Sequence, residues 1–415
     1  MTSAGLAKPS PAARPSSEGP EAPPAADPSR ASAPLGFAEL IHPLAPDRFF
    51  SEFYGRQPLH IPAGSLDKAG RTVSWAEVNQ MLAMTSIWSD SSLELALAGR
   101  PVPPQSYCYE GIDREGRRTL KPDTARVQEA VARGATLVLN YIDTLVPGIR
   151  STAAAVASAT GAPVSVSLFA SWQKVQGYNV HFDTQNVFAL QVVGRKTWRI
   201  YANREVNPAR IPGFDSASVP PDEAEKRKGP LLLEVTLEPG DLLYVPPGFY
   251  HQALAESDAS VHVGYGACHF VIQDFLNLLV RDLPKIPAFR APLAHFDEPE
   301  ALARQLAEVA EQLRAIVAQP QQAETMRGFL RAKAFEQYAV FDLPQRRPNQ
   351  RFRLRRTAKA PDAGTGTLAA DLAAWAGRAE LFALSDLRAA FAERPEAELE
   401  AALQDLIRRG LVEPV

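Results

Sequence analysis

From about residue 164 to residue 268 the chain reads as short runs of Val, Ile, Leu, Phe and Tyr broken by Gly and Pro. Such runs favour strands, because branched and aromatic side chains pack well on a pleated surface while Gly and Pro supply the turns. Turns are expected at Pro239-Gly240 and Pro247-Gly248, and VFALQVVGRKTWRIY reads as a hairpin about Gly194. Regularly spaced strands with turns of this kind close into a barrel or a double-sheet jelly roll. This one feature limits the fold more than any other.

Inside that stretch, GYNVHFDTQNVFALQVVGRKTWRIY (Gly177 to Tyr201) carries polar groups that an apolar strand pair does not need. Residues i and i+2 of a strand face the same way, so His181 and Asp183 can aim a nitrogen and an oxygen at one point. PPGFYHQA offers His251 just after a tight turn as a third ligand. Two imidazoles and one carboxylate suit non-haem Fe(II) and leave three coordination positions free. A 2-oxo acid can chelate through its keto oxygen and one carboxylate, which leaves one position for dioxygen. The far carboxylate of 2-oxoglutarate then needs a cation, and Lys196, after the Gly194 turn, is placed to supply it. Taken singly, each signal has an ordinary meaning: a hydrogen-bonded histidine, a turn, a solvated lysine. Their order within one β-rich stretch is what carries the metal reading. Zinc is the competing metal, but zinc catalysis or a silent sugar-binding barrel leaves Lys196 without a role.

The rest of the chain bounds this reading. At 415 residues it exceeds a single core. A net charge of -3 gives no whole-molecule attraction to nucleic acid or an anionic membrane. Two cysteines, Cys108 and Cys268, exclude a disulfide framework and read as packing residues of a reducing compartment. Apolar runs fall short of the ~20 residues of a membrane span, and the first residues lack an apolar signal-peptide core. Cytoplasmic location is the expectation. Residues 1–35, rich in Pro, Ala and Ser, cannot bury enough surface to offset their ordering entropy and read as a disordered tail.

Helical spacing through Phe49, Phe50 and Phe53 precedes the strand-like PLHIP, and SWAEVNQMLAM and DTARVQEAVARG add helices. A strand is expected from Thr136 to Leu139, then a helix in VPGIRSTAAAVASATG and a Val- and Ser-rich strand. EPEALARQLAEVAEQLRAIVAQ and AETMRGFLRAKAFEQYAVF are amphipathic helices. The last segments, TLAADLAAWAGR, ALSDLRAAFA and PEAELEAALQDLIRRGLVEPV, suggest a small winged-helix-like domain. The basic run from Arg346 to Lys359 suits RNA phosphates or an acidic partner, yet RFRLRR fits a half-exposed edge strand better. The acidic ERPEAELEAALQDL favours protein over DNA as a partner.

HFDTQNVFALQVVGRKTWRIY, LEPGDLLYVPPGFYHQA and SVHVGYGACHFVIQDFLNLL together closely resemble the JmjC-type ribosomal oxygenases of the cupin superfamily. The likeness extends to FFSEFYGRQPLHI and TLVLNYIDTLVPGI upstream. The resemblance implies an α+β protein built on a double-stranded β-helix (JmjC/cupin jelly roll), with a helical dimerisation segment and a C-terminal winged-helix-like domain. The expected division is a tail at 1–35, a JmjC catalytic domain at 36–282, the helical segment at 283–345 and the winged-helix-like domain at 346–415. The implied activity is an Fe(II)- and 2-oxoglutarate-dependent dioxygenase, using O2, that hydroxylates Arg or His of a ribosomal protein as a homodimer. By position, His181, Asp183 and His251 match the metal ligands, Lys196 matches the residue that binds 2-oxoglutarate, and Ser167 matches a polar co-substrate contact.

Three departures bear on the substrate pocket: the approach KVQGYNV, Asn186 where an acidic residue is common, and Gly264 and Gly266 in place of hydroxyl-bearing residues. They keep open a hydroxylase of a small molecule or short peptide, and lysine demethylation. A reading of another class, a ligand-sensing regulator whose winged helix binds nucleic acid, also stands. Trp172, Tyr178 and Phe249 suit a groove wall or the core, and Ser260 and His262 suit packing or hydrogen bonding beside the site. His42, His60, His269 and His295 receive no function.

Overall fold

The structure is a computed structural model describing residues 34–112, 116–172, 175–335, 351–355, 367–377 and 381–415. The expected N-terminal tail, save its last two residues, and much of the basic run at 346–359 lie outside these. The chain forms two units, Met1–Ala339 and Val340–Val415.

Thirteen described strands belong to the first unit: β1 Leu59–Ile61, β2 Leu93–Leu97, β3 Arg100–Pro101, β4 Cys108–Ile112, β5 Arg118–Pro122, β6 Thr136–Asn140, β7 Val164–Ser171, β8 Asn186–Val193, β9 Lys196–Arg204, β10 Leu231–Leu237, β11 Leu242–Val245, β12 Phe249–Ala255 and β13 Ser260–Ala267. Eight of them make one sheet in the order β1-β11-β8-β13-β7-β6-β2-β3, and β10-β9-β12 make a second. The pairs β4 and β5 form a separate hairpin. All these pairings are antiparallel.

The alternation in VSVSLFAS explains how the large sheet serves two environments. Val164, Val166, Leu168 and Ala170 of β7 are fully buried on one face, with Leu137 and Leu139 of β6 and Val263 and Tyr265 of β13. That face packs on the helices Pro46–Glu52 and Pro147–Thr160 through Phe49, Ile149 and Val156. Phe49, Phe188 and Tyr244 meet there edge-on and tilted at centroid distances of 4.9 to 5.8 Å. Each such aromatic removes on the order of 2–3 kcal/mol of apolar surface from water. The opposite face, carrying Ser165, Ser167, Phe169 and Ser171, turns toward the second sheet and lines a cavity.

The expected hairpin about Gly194 does not form. β8 pairs with β11 and β13, and β9 pairs with β10 and β12, so the chain changes sheets at Gly194-Arg195. A hairpin would leave both strands in one sheet; the crossover is what puts Lys196 across the cavity from β7. The connection is tied to the turn between β12 and β13, with Arg195 N donating to Ser257 Oγ at 2.9 Å and Glu256 N to Arg195 O at 3.0 Å. Gly194 has φ of 63°, and a β-carbon there collides with the Ala259 carbonyl and Ser257 Oγ. Gly194→Ala is therefore expected to cost more than about 2 kcal/mol, read as a lower denaturation midpoint at unchanged slope.

Strands β2 to β5 were not foreseen beyond the helices around them. Downstream, helix Ile272–Asp282 precedes the segment expected to be helical, which holds the helices Pro299–Val317 and Pro320–Phe335. Ile272, Leu276 and Val280 lie four apart on helix Ile272–Asp282 and are 76%, 42% and 60% exposed, so one helix face is apolar and open. No helix among the described residues is long and apolar enough to cross a membrane. Cys108 and Cys268 are both free thiols, the first buried and the second half-buried.

In the second unit, β14 Arg351–Leu354 lies between β15 Phe382–Ala383 and β16 Val412–Pro414. Helices Leu368–Ala376, Leu384–Ala390 and Glu396–Arg408 cover a core of Phe352, Leu372, Phe382, Leu403 and Leu406. The RFRL alternation is half-exposed as expected, Phe352 inward and Arg351 and Arg353 outward, but the strand is central rather than an edge. Its arginines therefore do not guard an open edge; the next one, Arg355, pairs with Glu413 across the sheet at 2.7 Å.

Candidate metal centre

His251 sits on β12 just after the Pro247-Gly248 turn, with its side chain 3% exposed. His181 and Asp183 lie not within a strand but on an extended segment ahead of β8. A single β-bridge attaches this segment to β12: His181 N donates to His251 O at 3.1 Å and His251 N to His181 O at 2.7 Å. Gly248 N also donates to Asp183 O at 2.9 Å, which fixes the aspartate to the turn that launches β12. The local geometry differs from the strand expected, yet the backbone bridge brings all three side chains together.

Ligand atoms of His181, Asp183 and His251 lie within 4.8 Å of one another, the one such group of His, Cys, Asp or Glu among the described residues. Atoms held at about 2.1 Å from a shared ion stand roughly 3–4 Å apart, and His251 Nε2 is 3.5 Å from Asp183 Oδ2. Both imidazoles are oriented alike. His181 Nδ1 lies 2.9 Å from the Asn179 carbonyl and His251 Nδ1 lies 2.9 Å from the Phe249 carbonyl. A carbonyl only accepts, so each Nδ1 carries the proton and each Nε2 is left as a lone-pair donor. Burial, reinforced by the neighbouring His181, pushes His251 down to about 4, which keeps it neutral and ready to ligate. The donor set fits a divalent transition metal with open positions.

The group opens into a cavity of about 460 Å³ between the two sheets. Lys196 and Trp198 of β9, His251, Ala253 and Ala255 of β12, and His262 of β13 all line it, each strand contributing alternate residues. Lys196 pairs across from Ala255, while His251 pairs across from Ile200. The cation is thus four residues, about 13 Å of strand, further in than the metal group. It is 5% exposed, and its hydrogen-bond partners are Ser171 Oγ at 3.2 Å and His262 Nδ1 at 3.4 Å. Neither is an anion. Burial lowers Lys196 to about 7, and it drives His262 well below the usual imidazole range, so His262 is neutral. Trp198 adds a buried indole N–H with no hydrogen-bond partner among the described residues. A cation buried at the cavity wall without an anion is a group that a carboxylate would satisfy.

Ser167 of β7 lines the same cavity, where its Oγ donates to Asn140 Oδ1 at 2.7 Å. Tyr178 is on the wall, and Gly264 and Gly266 stand across from Ser167 and Ser165 in the β7–β13 register, where Phe169 and Gln185 pack against them. Phe249 is in the core between the sheets, and Trp172 packs against the main core. Asn186 is buried and accepts from the Tyr244 hydroxyl. His262 lies flat on Phe169, centroids 4.7 Å apart, and Ser260 bonds to Gln191. His60 meets Asp241 and His269 meets Tyr54, both away from the cavity wall. Sequence reasoning missed Glu94, Asn140, Ser171 and Trp198. The serines at every second position of VSVSLFAS were the available signal for Ser171.

The JmjC domain family model matches residues 148–275, which spans β7 to β13 and the metal group. A bifunctional lysine-specific demethylase and histidyl-hydroxylase of Drosophila persimilis is 26% identical over 255 residues, 60% of this chain and 34% of that protein. Ribosomal oxygenase 1 of Gallus gallus is 28% identical over 236 residues, 57% of this chain and 37% of its own length. The chain thus spans about a third of the length of these curated relatives. Among solved structures, the ribosomal oxygenase YcfD of Escherichia coli in complex with cobalt and 2-oxoglutarate aligns over 90% of this chain and 98% of its own, with 16% identity and a TM-score of 0.43.

Proposed function

Because this chain carries a JmjC domain, we propose that it is an Fe(II)- and 2-oxoglutarate-dependent oxygenase that hydroxylates a protein side chain, Arg or His of a ribosomal protein. The observation that carries the reading is the pairing of His181, Asp183 and His251 with a buried, anion-free Lys196 in one cavity. The names of the demethylase–hydroxylase and ribosomal oxygenase relatives support the reaction and the class of substrate.

His181, Asp183 and His251 would hold the iron, through Nε2 of each imidazole and a carboxylate oxygen. Bound there, ferrous iron supplies the activation of dioxygen that couples oxidative decarboxylation of 2-oxoglutarate, to succinate and carbon dioxide, with C–H hydroxylation. The chain's part is alignment. Lys196 holds the distal carboxylate by a charge-assisted bond, and Ser171 and His262 keep its Nζ in place. Phe169 and Trp198, each against His262, keep that end of the cavity apolar, which strengthens the charge pairing by excluding water.

The same proposal includes the finer architecture: a catalytic domain at 36–282, a dimerisation segment at 283–345 and a winged-helix-like domain at 346–415. The open apolar stripe of Ile272, Leu276 and Val280, on the helix that ends the catalytic domain just ahead of that segment, supports a second copy as its cover, and three helices against a three-stranded sheet support the last domain. Leu276→Asp together with Ile272→Asp is expected to convert a homodimer to the 45.1 kDa monomer in sedimentation. For the activity, ribosomal proteins from cells with and without this chain are compared by intact mass. One protein is expected to differ by about 16 Da, the mass of the oxygen atom transferred. Identical masses throughout would remove the ribosomal substrate.

A further inference from the structure

The cavity wall carries a second charged group, on β2, two strands along from β7 in the large sheet. Glu94, inward on β2, lines the cavity and is half-buried. Its carboxylate has one hydrogen-bond partner among the described residues, the neutral amide of Asn140, whose Nδ2 donates to Oε1 at 2.8 Å. Among the described residues no lysine or arginine pairs with it. Asp90 lies close enough to repel it, and burial together with that repulsion raises its proton affinity, against the Asn140 hydrogen bond.

The arrangement is built rather than incidental. Asn140 and Ser167 face each other in the β6–β7 register. Ser167 Oγ donates to Asn140 Oδ1, which turns the amide so that its N–H side meets Glu94. Three neighbouring strands, β7, β6 and β2, thereby contribute one polar chain, Ser167 to Asn140 to Glu94. Ser167 is four residues, about 13 Å of strand, from Ser171, where Lys196 is held. Glu94, Tyr178 and Asp183 all line this one cavity. Gly264, across from Ser167, lets Phe169 and the Ser167 backbone lie close on that side. Arg210, the other cation on the wall, exerts its charge on Cys268.

We propose that Glu94 selects the side chain to be oxidised by pairing with a cationic group, a guanidinium or ammonium, and that Ser167 is a positioning residue acting through Asn140. This rests on the oxygenase reading and narrows its substrate to a positively charged side chain, arginine above neutral histidine. A guanidinium offers paired N–H donors that match a carboxylate held at one edge by an amide. Neutral imidazole leaves the carboxylate without a counter-charge in a partly desolvated site.

The test uses the full chain with manganese in place of iron, under nitrogen, at about pH 8, where free imidazole is neutral. Binding of Nα-acetyl-arginine methylamide is measured by calorimetry beside its citrulline and histidine counterparts. The arginine amide is expected to bind at least about tenfold tighter than the citrulline amide, the neutral isostere. Glu94→Gln should erase that preference. Ser167→Ala should reduce it, and Ser167→Thr, which keeps the hydroxyl donor, should restore it. Equal binding of arginine and citrulline amides, tighter binding of the histidine amide, no binding of the arginine amide, or a preference that survives Glu94→Gln would each overturn the proposal. 2-Oxoglutarate binding to the unaltered protein is measured separately. Its absence alongside an intact arginine preference counts against the oxygenase reading while supporting the cation subsite.

Discussion

Replacing Lys196 with methionine is expected to stabilise the ligand-free protein and to abolish tight binding of 2-oxoglutarate. The two effects have one cause. Lys196 is 5% exposed, has a hydroxyl and a neutral imidazole as its hydrogen-bond partners among the described residues, and is lowered by burial from 10.5 to about 7. Between about pH 7 and pH 10 the unfolded chain therefore binds more protons at this position than the folded one, so stability rises with pH across that window. Below about pH 7 both states are protonated and the folded state bears the whole cost of the buried charge. Methionine, of similar length and no charge, removes both the cost and the slope. The expected gain near neutral pH is on the order of a few kcal/mol, several degrees in melting temperature. For 2-oxoglutarate, loss of the cation leaves a carboxylate buried without a partner, about 3 kcal/mol or more, and so an affinity lower by about 100-fold. A lower melting temperature in the methionine variant, or an unchanged 2-oxoglutarate affinity, would sink this account.

The second large effect belongs to the metal group. Asp183→Ala and His251→Ala are each expected to lower affinity for manganese or ferrous ion by at least about 100-fold, since even outer hydrogen-bond partners of metal ligands cost 10- to 100-fold. Succinate formation should fall to background in both. The two variants are expected to differ in stability. Asp183 is 35% exposed and its backbone oxygen, not its side chain, holds the Gly248 turn, so its loss should leave the fold intact. His251 is buried between His181 and Trp198, and truncation there opens a gap that should also lower the melting temperature. Retained metal affinity in Asp183→Ala would remove the carboxylate from the ligand set.

What was legible in the chain follows from how far each signal reaches. The strand texture of 164–268 and the meeting of His181, Asp183, His251 and Lys196 around one cavity were readable because spacing along one stretch encodes them. The partners of those residues were not. Gly194 resembles any hairpin glycine, and only the pairing of β8 and β9 with other strands shows that the chain changes sheets there. RFRLRR shows its alternation in sequence, but whether a strand is central or at an edge depends on distant Phe382 and Val412. Glu94 and Asn140 stand 46 positions apart and meet only because β2 and β6 are neighbours.

The bridge between His181 and His251 ties the two imidazoles to a single rung of backbone hydrogen bonds. An ion held there cannot lose one imidazole by a side-chain rotation alone while both Nδ1 protons remain committed to carbonyls. Opening of that rung would part the two imidazoles, so a bound ion is expected to slow amide hydrogen exchange at these two positions.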